Sequence, residues 1–300
     1  MCYTHTQYSA EKPFFCPGLP ENHTYFEGEQ MFLSIFSDEV NEDLQQAIPL
    51  FRKWGLEHAD FRSNVLGRKI HELSPDELKQ LKKLLEENGL TTGALQTSLA
   101  KVHLPDTDRR RAEAEKLEGI IRAADALDCR LVRVFHYWQP GSEEKGTLHW
   151  KKDRLEQVAD MTAPLLSRAK ETGLVLAFEN CGVTPDEVLA FLDVINEDEW
   201  GLAWDCYNSW EAMSRDQEDV CMNRLIPRSR MVHVKAQSIV PELTDQPFPW
   251  QRILKKCMNM GLSGPVSIET HNPKASPLSN TEASRKAFEL IREKWPKHEQ

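Results

Sequence analysis

The stretch LVLAFENCGVTPDEVLAFLDVINEDEWGLAWD, residues 174–205, decides the fold. Leu174 to Phe178 is an unbroken apolar run, the pattern of a strand buried on both faces. Thr184-Pro185-Asp186-Glu187 then opens a helix: a threonine cap, a proline at the first helical position and a glutamate three residues after the cap. Gly201 to Trp204 is a second short apolar run. Strand, helix, strand with both strands buried is a βαβ unit, which belongs to a parallel sheet. Each of the two strands runs into a carboxylate, Glu179 and Asp205.

The same rhythm extends in both directions. Upstream, strands are expected at 32–36, 57–62, 90–96 and 130–135. Helices are expected at 41–54, with Pro49 as an irregularity, then from the Ser74 capping box to Asn88-Gly89, at 108–127, and at 150–172 before Gly173. Downstream, a helix at 211–222 precedes a strand at 230–234. A helix at 249–260, a strand at 265–268 and a helix at 281–294 follow. Eight β-α units in about 270 residues predict one (β/α)8 barrel spanning 31–300. A doubly wound open sheet is the competing architecture, but Phe36-Ser37-Asp38-Glu39-Val40 after the first strand lacks a glycine-rich phosphate loop. Residues 1–30 mix prolines with scattered aromatics and follow neither period, so they are expected to form an N-terminal arm.

Composition narrows the function. With 37 basic and 47 acidic residues the net charge is −10. Such a surface repels phosphate backbones, so no nucleic-acid partner is expected. The one basic run, Arg109-Arg110-Arg111, is expected to be answered by Glu113 and Glu115 on its own helix. No apolar run is long enough to span a membrane. Seven cysteines, odd in number and without a C-x-x-C pair, suggest neither disulfides nor a thiolate zinc site, and the cytoplasm is the expected location.

In such a barrel the chemistry lies at the C-terminal ends of the strands. Glu179, Asp205, His233 and Glu269 fall at or near the ends of four consecutive strands. Each taken singly has a plain reading: a carboxylate after a strand often caps a helix, and a strand histidine often pairs inside the core. Four in succession point to one divalent metal ion, because each follows or interrupts an apolar run where an unpaired charge is costly. Three oxygen donors and one nitrogen suit Mn²⁺, Mg²⁺ or Co²⁺, with Zn²⁺ also allowed.

From Met31 to about Trp295 the chain resembles the sugar phosphate isomerase/epimerase superfamily, also called the xylose isomerase-like or AP endonuclease family 2-like barrel. The carrying motifs are SDEV (37–40), HADFR (58–62), FENCG (178–182), WDCYN (204–208), HVKA (233–236) and SIETH (267–271). The resemblance implies that Glu179, Asp205, His233 and Glu269 hold the metal and that Glu179 and Glu269 are the acid/base pair. One carboxylate would take a proton from the carbon beside a ketose carbonyl and the other would return one, through a metal-stabilised enediolate. Two features depart from the family's epimerases: Ile239 stands where they often carry an arginine, and HVKA replaces the commoner HVKD.

Other polar strand ends are candidate substrate contacts. Arg62 could hold a hydroxyl, carboxylate or phosphate, or form a salt bridge to Glu39. Lys235 could steady an oxyanion. Asn208 stands where some family epimerases have a sugar-binding histidine. His136 could bond a hydroxyl or be a rim residue, and His271 could support the site from behind. Gln96, Tyr137 and Trp138 could line the pocket, and Cys181 and Cys206 read as packing residues. The expected partner is a small sugar or polyol, with homo-oligomerisation left open. Three further activities compete with an isomerase or epimerase: an inosose dehydratase-like lyase on the same metal, a non-catalytic sugar- or metal-binding barrel, and an abasic-site nuclease. The last is disfavoured by the charge and the few histidines near strand ends.

Overall fold

The computed structural model describes residues 31–102, 107–137, 152–195, 200–210 and 218–296. The arm expected at 1–30, Trp138 and residues 211–217 of the expected helix after the sixth strand lie outside the described residues.

Eight parallel strands run in the order β1-β8-β7-β6-β5-β4-β3-β2. They are β1 (Phe32–Ile35), β2 (His58–Phe61), β3 (Thr91–Gln96), β4 (Leu131–Val134), β5 (Val175–Glu179), β6 (Gly201–Asp205), β7 (Ser229–Lys235) and β8 (Pro265–Glu269). A single parallel bridge between Phe36 and Asp60 joins β1 to β2 and nearly closes the ring. The fold is the expected (β/α)8 barrel, with every strand within a residue or so of its expected place.

The helices are α1 (Ser37–Val40), α2 (Leu44–Trp54), α3 (Pro75–Glu87), α4 (Thr107–Leu127), α5 (Lys152–Glu171), α6 (Pro185–Ile195), α7 (Cys206–Trp210), α8 (Glu218–Leu225), α9 (Trp250–Asn259) and α10 (Asn280–Glu293). Both expected capping boxes form. The Glu77 N–H donates to Ser74 Oγ at 3.3 Å, and the Ser74 N–H donates to Glu77 Oε2 at 2.7 Å. Thr184 and Glu187 repeat the exchange at 3.3 and 2.8 Å.

Two expectations are corrected. The helix expected from Asn41 begins only at Leu44, because the Asn41 side chain accepts from the Asp43 N–H at 2.9 Å and turns the chain. Asp43 then caps the helix through the Gln45 N–H. Pro49 lies inside α2 without ending it. Glu113, expected to answer the arginine run, turns inward instead. It accepts the Ala100 N–H and pairs with Lys116 Nζ, both at 2.6 Å.

The main apolar core lies between the strands and the helices. The barrel interior is filled separately by Ala94, Leu131, Ala177, Ala203 and Met231, one from each of five consecutive strands. Side chains two residues further along a strand share its face. The next layer toward the strand ends is therefore Gln96, Arg133, Glu179, Asp205 and His233. Apolar residues below and polar residues above are the sequence-level device that lifts the charges to one end of the barrel.

Candidate metal centre

Glu179 ends β5, Asp205 ends β6, His233 lies in β7 and Glu269 ends β8. All four are buried, and each offers one ligand atom lying within 4.8 Å of the other three. Parallel pairing sets this convergence: Asp205 is in register with His233 across β6 and β7, and Lys235 with Glu269 across β7 and β8. The site's buried polar atoms are under-bonded. Neither ring nitrogen of His233 has a hydrogen-bond partner, nor does Asp205 Oδ2. Buried polar groups are ordinarily hydrogen-bonded, so unmet groups of this kind, gathered beside three carboxylates, point to a ligand. Three carboxylates and a neutral imidazole make a donor set suited to a divalent cation.

Three cations stand among the carboxylates. Arg133 of β4 donates from Nη1 to Glu179 Oε2 at 2.5 Å. Lys235 Nζ lies 2.6 Å from Glu269 Oε2 and 3.2 Å from Asp205 Oδ2. Arg62, just past β2, reaches Asp38 at 3.0 Å, Glu39 at 2.7 Å and Glu269 at 3.4 Å. The salt bridge weighed for Arg62 therefore forms, and the same guanidinium also touches the site.

Burial alone would raise the pKa of every carboxylate here. At Glu179 it is overruled chiefly by Arg133, and the group sits below its ordinary value. At Glu269 burial is overruled by Lys235 and then His233 and Arg133, and the pKa falls far below the usual range. At Asp205 burial wins: Lys235 opposes it, Glu179 and Glu269 reinforce it, and the pKa is pushed up to about 6. Burial brings His233 down to about 4, so at neutral pH its ring is uncharged and keeps a lone pair for a metal. Its 3.9 and 3.8 Å approaches to Glu179 and Glu269 are thus not ion pairs.

The remaining candidates separate. Lys235 is buried and stays charged, because Asp205 and Glu269 outweigh its loss of water. Asn208, on α7, donates its backbone N–H to Asp205 Oδ1 at 3.2 Å, beside the Tyr207 N–H at 2.9 Å. Asp205 therefore also plays the capping part weighed for it. His136, after β4, is fully buried with neither ring nitrogen bonded, and burial lowers it to about 4. His271 adopts a left-handed φ of 44° and its N–H donates to Glu39 Oε2 at 2.7 Å. One of its ring nitrogens and one oxygen each of Glu39 and Glu269 also lie within 4.8 Å of one another. Gln96 turns down to Asp60 Oδ2 at 2.8 Å, in a buried network with Ser34 and Ser267. Cys206 is buried and Cys181 half-buried.

The sequence reading missed Arg133 and Phe36. The Phe36 ring meets His233 edge-on at 5.4 Å and lies beneath the guanidinium groups of Arg62 and Arg133 at 5.2 and 5.6 Å. A signal for Arg133 existed: it interrupts the apolar run RLVRVF at inward parity with Leu131.

The fold and site define an eight-stranded parallel (β/α)8 barrel with a buried carboxylate–histidine cluster at its strand ends that could hold a metal ion. Residues 49–294 match the family model of the xylose isomerase-like TIM barrel, and the chain belongs to that family. No curated protein sequence matches it. Its fold is shared by solved structures of low identity. A D-psicose 3-epimerase from Clostridium cellulolyticum H10, solved with D-tagatose, superposes with a TM-score of 0.69 at 15% identity over 88% of this chain and 99% of the other. A xylose isomerase-like TIM barrel protein from Mycobacterium smegmatis, in complex with magnesium, gives 0.65 at 15% over 90% and 98%. A D-allulose 3-epimerase from Methylomonas sp., in complex with D-allulose, gives 0.65 at 16% over 89% and 98%. Among the described residues, no helix is long and apolar enough to cross a membrane.

Proposed function

We propose that the protein is a divalent-metal-dependent isomerase or epimerase of a sugar or sugar-like polyol. The observation that carries this reading is the convergence of Glu179, Asp205, His233 and Glu269, with ligand atoms within 4.8 Å and His233 unbonded. These four side chains would hold the ion, and Mn²⁺, Mg²⁺ or Co²⁺ suits the donor set. Bound there, the ion supplies Lewis-acid polarisation of a carbonyl oxygen.

Glu179 and Glu269 come from β5 and β8 and act as the proton-transfer pair, one taking a proton from the carbon beside the carbonyl and the other returning one. Lys235 is the permanent positive charge beside both Asp205 and Glu269, positioned to offset negative charge growing on a substrate oxygen. His136, with two unbonded nitrogens, and Asn208 are the candidate hydroxyl contacts, and Arg62 and His271 form the rim on the β2 and β8 side. Two of the solved structures that share the fold are sugar 3-epimerases, which favours a ketose among the polyols.

The test is incubation of the Mn²⁺-loaded protein with a panel of ketoses in D₂O. A product of the substrate's own mass plus one deuterium on carbon beside the carbonyl supports the reading. Loss of 18 Da assigns a dehydrating lyase instead. Saturable binding with no exchange into any ketose leaves a sugar-binding barrel.

A further inference from the structure

We propose that Arg133 is a positioning residue that fixes the Glu179 carboxylate in the orientation the site uses. The proposal rests on the proton-transfer reading of Glu179 given above. Arg133 is almost fully buried, and its Nη1 holds Glu179 Oε2 at 2.5 Å. Its guanidinium lies against two aromatic rings, Phe36 at 5.6 Å and Phe135 at 5.0 Å, which leave it little room to swing. Its Nε is buried without a partner.

Stability does not account for this arrangement. A buried ion pair is commonly neutral or unfavourable next to apolar residues of the same volume. An unpaired buried Nε adds a further penalty. The pair makes sense if the chain must keep a carboxylate at 179 and must hold it in one rotamer. A guanidinium suits that task because its planar fork gives direction as well as charge, whereas an ammonium gives charge alone.

The division of labour around the site isolates the effect. Glu269 is held by Lys235 and Arg62, and Asp205 by Lys235 and two backbone N–H groups. Among the described residues, the only hydrogen bond to the Glu179 carboxylate comes from Arg133. Removing Arg133 should therefore release one ligand and leave three in place.

The test compares Arg133→Ala and Arg133→Lys with the parent, using Co²⁺ alone as a spectroscopic probe and then turnover on whichever ketose the parent accepts. The Ala variant should still bind Co²⁺ through the three remaining ligands, with Kd raised about 10–100-fold, the usual cost of losing a residue that orients a ligand. Its visible absorption should change as Glu179 reorients, and kcat should fall at least about tenfold with KM little altered, the usual result of misplacing a reacting group. Millimolar guanidinium ion should restore both the spectrum and kcat, and Arg133→Lys should recover them only in part. A crystal structure of the Ala variant should show Glu179 out of its parental rotamer. That last readout stands even if the parent proves inactive or binds no Co²⁺, results that would instead sink the functional reading. An Ala variant with parental spectrum, kcat and Glu179 rotamer overturns the proposal. So does a folded Ala variant that loses Co²⁺ altogether, or altered properties that guanidinium leaves unmoved. If neither variant folds, Arg133 is a packing element and the proposal fails.

Discussion

Lowering the pH from 7 to 5 should weaken metal binding about tenfold through Asp205. The sign follows from the site. In the proposed site, coordination would require the Asp205 carboxylate, whose pKa without a bound ion is pushed up to about 6 by burial, with Glu179 and Glu269 adding to the rise against Lys235. Affinity is thus fully present well above pH 6 and is lost as pH falls through it, because a proton must leave before the ion binds. The apparent Kd rises by a factor of one plus ten to the power of pKa minus pH: about 1.1-fold at pH 7 and about 11-fold at pH 5, a difference of about 1.4 kcal/mol. An aspartate at its ordinary value of 3.8 would change affinity by less than about 10% over the same range.

His233, brought down to about 4, adds only about a tenth at pH 5. Glu179 and Glu269 lie below their ordinary values, so each contributes less in this window than a free glutamate would. The assay is Mn²⁺ titration by calorimetry at pH 5, 6 and 7 in two buffers of different ionisation enthalpy. Proton release should approach about one per ion at pH 5 and about a tenth at pH 7. An Asp205→Asn control should bind more weakly throughout and lose the pH dependence. A flat affinity between pH 7 and 5, with no proton released, would refute the assignment of Asp205 as a ligand with a raised pKa.

Glu179→Gln and Glu269→Gln, assayed with Mn²⁺ in excess, should stay folded and keep substrate binding while kcat drops about 10²–10⁴-fold. Exchange of the substrate's α-proton with D₂O should survive in only one of the two, which assigns the abstracting base. Gly93→Ala should cost about 1–3 kcal/mol in urea unfolding, because a Cβ there would lie 2.6 Å from both Asp60 Oδ1 and Ser34 Oγ in the interior network. Removing residues 1–30 should leave the melting temperature and Mn²⁺ affinity unchanged, since β1 starts at Phe32 and Met31 is already buried.

The barrel was legible because its strands are buried on both faces, so each stands in the sequence as a short apolar run between helix caps. The four convergent residues were legible for a related reason: a charge at the end of such a run needs an explanation that solvent does not supply. What escaped was the pairing of charges. Arg62 meets Glu269 across 207 residues of sequence, and only the closing of β1 and β8 beside β2 brings them together. Sequence spacing had offered Glu39 as its partner and could not reveal that one guanidinium serves three carboxylates. Arg133 sat in plain view within RLVRVF, but an arginine in a strand has no local partner to announce its role. The break at Asn41 was missed because an asparagine side chain bonding its own neighbours competes with the helix at short range, beneath the resolution of apolar periodicity.

These pairings also bear on why the site would take a divalent ion. Among the described residues, the strand ends bring together Asp38, Glu39, Glu179, Asp205 and Glu269 against Arg62, Arg133 and Lys235. Five carboxylates against three cations leave two negative charges in excess, in a place where each uncompensated charge costs several kcal/mol. The excess is visible at two carboxylates even though each has a cation beside it, Lys235 at 3.2 Å from Asp205 and Arg62 at 2.7 Å from Glu39. Asp205 Oδ2 makes no hydrogen bond and its pKa rises to about 6, and Glu39, half-buried beside Glu269, is raised as well. His233, neutral at physiological pH, adds a donor without adding charge. A dication bound by Glu179, Asp205, His233 and Glu269 would cancel the excess, whereas a monovalent ion would cancel half of it.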